Sequence, residues 1–270
     1  MFQRTTYVRL IVLLGIAVVS VALTVFAGAA WAVPIVTFKA KAVPIRGFAD
    51  TGNILGAGAT LKSEFTIQGS EYGGLPSPLT GVKILLPTGT TLRTAGFPTC
   101  PLRLIGAGDS KRCPKKSATG PSGETETVDL LGPQRIREKL SIKGFYVRGG
   151  SLDFAIHGTS PAAIELVSGG RYRNWDPGPE ATFTMPLVST VPGANYGSTE
   201  RIVTTLGSAV MRHGKPIYST RMPRACPSRH LTFRAMLTFA EGGNTATPVT
   251  VPVSYKAACP RTPHHRRRLG

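Results

Sequence analysis

Acidic side chains are scarce: 14 Asp and Glu stand against 32 Lys and Arg, giving a formal charge of +18. Few carboxylates remain for the paired acid chemistry of glycoside hydrolysis. Asp153, Glu165, Asp176, Glu180 and Glu200 share one half of the chain, but no spacing aims two of them at one bond. Signature motifs are missing too. There is no His-Glu-x-x-His, no EF-hand loop and no Gly-x-Ser-x-Gly, which removes zincin, calcium-loop and serine-hydrolase readings. The four cysteines contain no Cys-x-x-Cys, which argues against a four-cysteine zinc site. Gly106-Ala107-Gly108 opens no helical pattern, so a dinucleotide fingerprint fails. Gly214-Lys215-Pro216 lacks the upstream glycine and the Ser/Thr of a phosphate loop. Leu86-Pro87-Thr88-Gly89-Thr90 is one residue short of a wall-sorting signal and lies mid-chain. The reading is therefore a non-catalytic protein with no metal and no cofactor.

The first 32 residues read as a targeting segment. Arg4 and Arg9 precede an apolar run from Leu10 to about Ala30, and Ala30-Trp31-Ala32 offers a small-residue cleavage site. The run is also long enough to span a bilayer, so an uncleaved anchor is the alternative. Either way the remainder is expected outside the cell, in the envelope or the medium. A body from 33 to 260 follows, then a basic tail from 261 to 270 that reads as disordered. Two arginines precede the apolar run and four lie in the tail, which leaves +12 on the body. Such a charge attracts anionic wall polymer, phospholipid surfaces or other polyanions. Nucleic acid is disfavoured, because aromatics do not interleave with the basic residues. Cys100, Cys113, Cys226 and Cys259 form an even set in an exported chain, which points to disulfides. Three pairings are possible; the sequence-local one, Cys100–Cys113 with Cys226–Cys259, is favoured.

No β–helix–β rhythm runs through the body, which argues against a parallel α/β sheet. Glycine (31) and proline (22) instead punctuate short alternating runs. About eleven strands can be traced, including 35–45, 61–67, 81–86, 125–131, 181–188, 231–239 and 249–255. The expected fold is all-β: an antiparallel sandwich of two packed sheets behind an N-terminal signal or anchor helix. The clearest hairpin signal is Leu140–His157, where Gly149-Gly150 suits a two-residue turn. Pairing Arg148 with Ser151 would put Phe145, Val147, Leu152, Phe154 and Ile156 on one apolar face. Tyr146, Arg148, Asp153 and His157 would lie on the polar face, with Asp153 in a surface ion pair with Arg148. Ala162–Val167 reads as a further strand ended by Gly169-Gly170. Between Pro87 and Gly123 the pattern is irregular, and a Cys100–Cys113 bond would hold that excursion down.

Several short motifs recur in order: Leu86-Pro87-Thr88-Gly89, Phe97-Pro98-Thr99-Cys100, Cys113-Pro114-Lys115-Lys116-Ser117, Ala225-Cys226-Pro227 and Ala258-Cys259-Pro260. In these the chain resembles a family of exported actinobacterial β-rich proteins without an established activity. The resemblance implies an exported β-rich domain and carries no catalytic residue with it.

Two segments stand out for binding. The loop Tyr172-Arg173-Asn174-Trp175-Asp176 offers an aromatic for stacking on a sugar ring, with polar groups for hydroxyls; the competing expectation is that Trp175 plugs the core. Lys111, Arg112, Lys115 and Lys116 bracket Cys113 and form the sharpest basic cluster. A Ser151/Asp153/His157 hydrolytic group is disfavoured, because residues two apart on a strand are neighbours without facing one another. The expected function is association with the envelope or its anionic polymers. The alternative is a carbohydrate-binding module, or a weak glycan-active enzyme, working through the 172–176 loop.

Overall fold

The computed structural model describes residues 33–45, 54–174, 178–189, 192–226 and 229–259. The chain divides into two compact units, Met1–Ala32 and Val33–Gly270. The first, where the signal or anchor is expected, lies outside the described residues, as do Trp175, Asp176 and the basic tail.

The described chain is β-rich throughout. It begins with β1 (Ile35–Pro44), β2 (Ala59–Gln68), β3 (Leu79–Leu85) and the short β4 (Thr91–Leu92). A five-residue helix, α1 (Leu102–Gly106), and the 3-10 turns Ser110–Arg112 and Lys115–Ser117 follow. Then come β5 (Gly123–Leu131), β6 (Gln134–Tyr146), β7 (Ser151–Gly158), β8 (Ile164–Arg173), β9 (Glu180–Thr184) and β10 (Ser198–Leu206). The last are β11 (Ala209–Arg212), β12 (Lys215–Tyr218), β13 (Thr220–Arg221), β14 (His230–Ala240) and β15 (Pro248–Ala258).

Eleven of these strands join in one antiparallel sheet, in the order β1-β2-β10-β5-β6-β7-β8-β9-β3-β14-β15. The all-β antiparallel class therefore holds, but the expected division into two sheets does not. Alternation reports which side of a strand is buried; it is silent on whether the strand across the core belongs to the same ladder. Right-handed twist carried over many strands curls a sheet toward closure. Here the two edges come together without pairing: Phe38 of β1 and Tyr255 of β15 meet edge to face at 6.4 Å. Eleven is odd, so an all-antiparallel order leaves β1 and β15 running in the same direction.

The enclosed side is filled by side chains. β2 turns Leu61, Phe65 and Ile67 inward, and these meet Leu140, Ile142, Phe154, Phe183, Ile202 and Phe233 in one cluster. A void of about 20 Å³ lies between Phe65, Val82, Phe154, Phe183 and Ile202. That is room for about one water molecule, so the sheet at this point surrounds a packed core.

The β6–β7 hairpin corrects the sequence reading by one residue. Tyr146 pairs with Leu152, Gly144 with Phe154 and Ile142 with Ile156. Val147 donates to the Ser151 carbonyl at 3.1 Å, so three residues, Arg148, Gly149 and Gly150, make the turn. A one-residue slip exchanges the faces of one strand relative to the other. Tyr146 therefore points into the core with Leu152, Phe154 and Ile156, and its hydroxyl meets Ser208 Oγ at 3.0 Å. Burial pushes the Tyr146 phenol up to about 12. Phe145 and Val147 face outward, yet they are 2% and 5% exposed, because the excursion after β4 covers them. Cys100, Ile105 and Cys113 pack on Phe145, Val147 and Ala155. The disulfides are Cys100–Cys113 and Cys226–Cys259, the expected pairing.

β8 runs on through Gly169-Gly170 to Arg173 where an end was expected. A Cβ on Gly170 would lie 2.8 Å from the Phe183 ring. Glycine here makes room for a neighbouring aromatic and leaves the strand unbroken. Asp153, placed by the sequence reading in a surface ion pair, sits opposite Phe145 and is 7% exposed. Its Oδ2 is buried without a hydrogen-bond partner among the described residues. Desolvation raises its pKa, so the folded state holds the proton more tightly than the unfolded chain does. Folded Asp153 then holds a proton that the unfolded chain releases, and stability falls as pH rises from the ordinary Asp range through the raised value. Asp153→Asn is expected to gain about 1 kcal/mol at neutral pH. The gain should vanish below the ordinary Asp range, and denaturant melts at the two pH values measure it. An equal effect at both would remove desolvation as the cause.

Candidate binding surface

Because every neighbouring pair in the sheet is antiparallel, all connections fall at its two ends. One end carries residues 69–78, 132–133, 159–163, 185–197 and 241–247. Their described residues include Glu71 and Glu241 and no Lys or Arg. Arg135, where β6 begins at this end, donates to the Gly74 carbonyl at 3.1 Å. The other end carries residues 45–58, the parts of 86–122 that flank the disulfide excursion, and 147–150, 174–179 and 207–229. Outside the excursion their described residues hold seven basic side chains and no acidic one: Arg93, Arg148, Arg212, Lys215, Arg221, Arg224 and Arg229. All seven are exposed. None forms an ion pair among the described residues.

This basic end is a built layer. Arg93 N donates to the Ser219 carbonyl at 2.7 Å, Met222 N to the Ala57 carbonyl at 3.0 Å and Gly56 N to the Pro223 carbonyl at 2.9 Å. β4 and β13 pair, and the Asn174 amide bonds both the N–H and the carbonyl of Leu92. Met222, 1% exposed, pins the layer to the core. The Arg221 guanidinium lies over the Tyr218 ring at 5.4 Å, a contact that orients a cation without neutralising it.

In comparisons with known proteins, no family model, no curated protein and no solved structure matches the chain. The site therefore rests on its own geometry.

The residues singled out from the sequence are dispersed over the fold. Lys111, Arg112, Lys115 and Lys116 are all exposed on the excursion that covers the outer face of β6 and β7. They lie on the flank, and Arg112 is paired with Asp109 at 3.0 Å. Tyr172 turns inward against the core, and its hydroxyl is buried, which raises its pKa well above the ordinary phenol value. Arg173 is exposed, Asn174 is engaged with Leu92, and Trp175 and Asp176 lie outside the described residues. His157 pairs with Glu165, not with Asp153, so the Ser151/Asp153/His157 group is not assembled. Glu180 meets Lys83 at 3.4 Å, and Glu200 meets Arg137.

The structure does gather carboxylates elsewhere, on the outer face of β2, β10 and β5. Arg201 bonds Glu64 at 3.0 Å and Glu124 at 2.5 Å, with Glu126 at 3.8 Å. The Arg201 hydrogen bond holds the Glu124 carboxyl below its usual range. These carboxylates converge on one guanidinium, which gives no pairing of an acid with a free base. Among the described residues, no three His, Cys, Asp or Glu side chains gather as a metal site.

The sequence reading missed the basic end because its parts are far apart in the chain. It also missed the β11–β12 hairpin, although a signal was present. His213-Gly214 is a two-residue turn with φ of 46° and 70°, between short extended runs.

Proposed function

We propose that the protein is an exported, non-catalytic β-domain that associates with anionic polymers of the cell envelope through its basic end. One observation carries this reading: seven unpaired cations and no described acid in the connections at one end, against two glutamates and no cation at the other. Charge gathered on one face raises the local concentration of a polyanion far more than the same charge spread evenly. A packed interior and ion-paired carboxylates add support, since they leave the outer surface as the place for a ligand. The expectation of export comes from the N-terminal segment and accords with the two disulfides. A glycan-binding role for the 172–176 loop draws less support, because the Tyr172 hydroxyl and the Asn174 amide are both taken up by the fold.

The test is retention on phosphodiester-rich or carboxylate-rich wall polymer as salt is raised. Screening shortens from roughly 30 Å at 0.01 M to 3 Å at 1 M, so retention should be strong at the low end and lost at the high end. Replacing Arg221, Arg224 and Arg229 by Gln should weaken it more than the same change at Lys111, Lys115 and Lys116. Retention that ignores salt, or a larger loss from the flank variant, would reject the basic end as the contact surface.

A further inference from the structure

We infer that the β11–β12 hairpin is a lipid-contacting finger that docks the basic end on an anionic phospholipid surface. This rests on the reading of the basic end as a contact surface and narrows the polyanion to a headgroup layer.

Residues Met211 to Pro216 are all exposed. Met211 pairs with Pro216 and Ala209 with Tyr218, so Met211, Pro216 and Tyr218 share one face of the ribbon. Arg212 pairs with Lys215 beside the turn and lies on the other face. That face continues into Val210, which is 4% exposed and belongs to the core. The finger is therefore rooted at its base by Val210 and by Tyr218, whose ring lies against Gly58, and is exposed from Met211 to Pro216. Its base is stiff: Ser219 N donates to the Ser208 carbonyl at 2.9 Å, and Ser208 N donates to Ser219 Oγ at 2.8 Å.

Met211 is 48% exposed, one pair behind the turn of a basic element. A dissolved polyanion gives such a side chain nothing to bury against. A bilayer boundary does: an apolar side chain enters the acyl edge while flanking cations stay at phosphate level and an aromatic lies between. Arg212, His213 and Lys215 stand at and beside the turn, and Met211 and Pro216 lie one pair behind them on the opposite face. Tyr218, with Arg221 over its ring, lies at the base. A ribbon laid with its Met211–Pro216 face on the surface therefore sets the apolar side chain inward among flanking cations. Met211 is thus the residue that separates a lipid surface from a polymer.

The experiment uses the exported protein as cells release it. The probes are vesicles of phosphatidylglycerol with phosphatidylcholine, vesicles of phosphatidylcholine alone, and dissolved poly(glycerol phosphate). Any apolar N-terminal segment would bind both vesicle types, so the readout is the anionic-minus-neutral difference. Met211→Gln should lower that difference about tenfold, as expected for a partly buried Met side chain, and leave poly(glycerol phosphate) binding unchanged. Arg212→Gln with Lys215→Gln should weaken binding to both probes, on anionic vesicles by roughly fivefold per charge. An environment-sensitive dye on Met211→Cys should shift to the blue only on anionic vesicles. If Met211→Gln binds phosphatidylglycerol as well as the parent, or the dye does not shift, the lipid inference falls while salt-sensitive polymer binding leaves the basic end standing. If the charge variants change binding to neither probe and polymer binding ignores salt, both readings fall together.

Discussion

Replacing Cys100 and Cys113 together by Ser is expected to lower the unfolding free energy by about 3 kcal/mol, the chain-entropy value for a loop of this size. The bond spans a sequence separation of 13 residues. Its removal acts on more than the unfolded state. Between Cys100 and Thr119 the excursion is held at its ends, where Cys100 N donates to the Tyr146 carbonyl at 2.8 Å and Thr119 N to the Gly144 carbonyl at 2.9 Å. In its middle, Ile105, at 1% exposure, is the chief apolar anchor over Phe145 and Ala155. Without the bond the middle should open more often and uncover Phe145 and Val147. Trypsin should then cut at Arg103, Lys111 or Arg112 well before the sheet unfolds. A denaturant midpoint equal to the parent's, with these bonds still protected, would show that packing alone holds the excursion.

Gly207→Ala is expected to cost about 3 kcal/mol or more, through a clash added to backbone strain. Gly207 has φ of 126°, and a Cβ there would lie 2.0 Å from the Ala59 carbonyl oxygen. Its N–H donates to the Thr119 carbonyl at 2.6 Å, and its own carbonyl accepts from Thr60 Oγ1 at 2.9 Å. Two connections at the basic end and the start of β2 therefore meet on one residue without a side chain, and the β11–β12 hairpin begins two residues later. Gly214 also has positive φ, 70°, but a Cβ there would meet nothing within 4 Å. Gly214→Ala should cost only about 1 kcal/mol, the backbone term alone. Thermal melts of the two variants give the comparison. Equal losses would mean that β2 does not approach Gly207 as described.

Much of the fold was legible in the chain. Alternation marked strand after strand, and β2 keeps Leu61, Ser63, Phe65 and Ile67 on its buried side as a period of two requires. Of three possible cysteine pairings the sequence-local one was favoured, and the structure has it. Errors arose where a local signal admitted two geometries. Gly149-Gly150 suits a two-residue turn and also the last two places of a three-residue one, and the second moves Tyr146 from surface to core. Gly169-Gly170 looked like an end because glycine weakens strands; the reason it stands there, Phe183, is a neighbour on β9.

The chain by itself determined where most strands run, that their side chains alternate in polarity, that an even set of thiols is available for pairing and that the whole is strongly basic. These follow from local properties: the two-residue period of an extended backbone, the conformational freedom of glycine, and composition. Only the tertiary structure decided that eleven strands share one ladder, and that Arg93, Arg148 and the cations from Arg212 to Arg229 stand together at one end. Strand order is set by contacts between segments distant in sequence. The end at which a connection emerges depends on the direction of every strand before it, which no local pattern records.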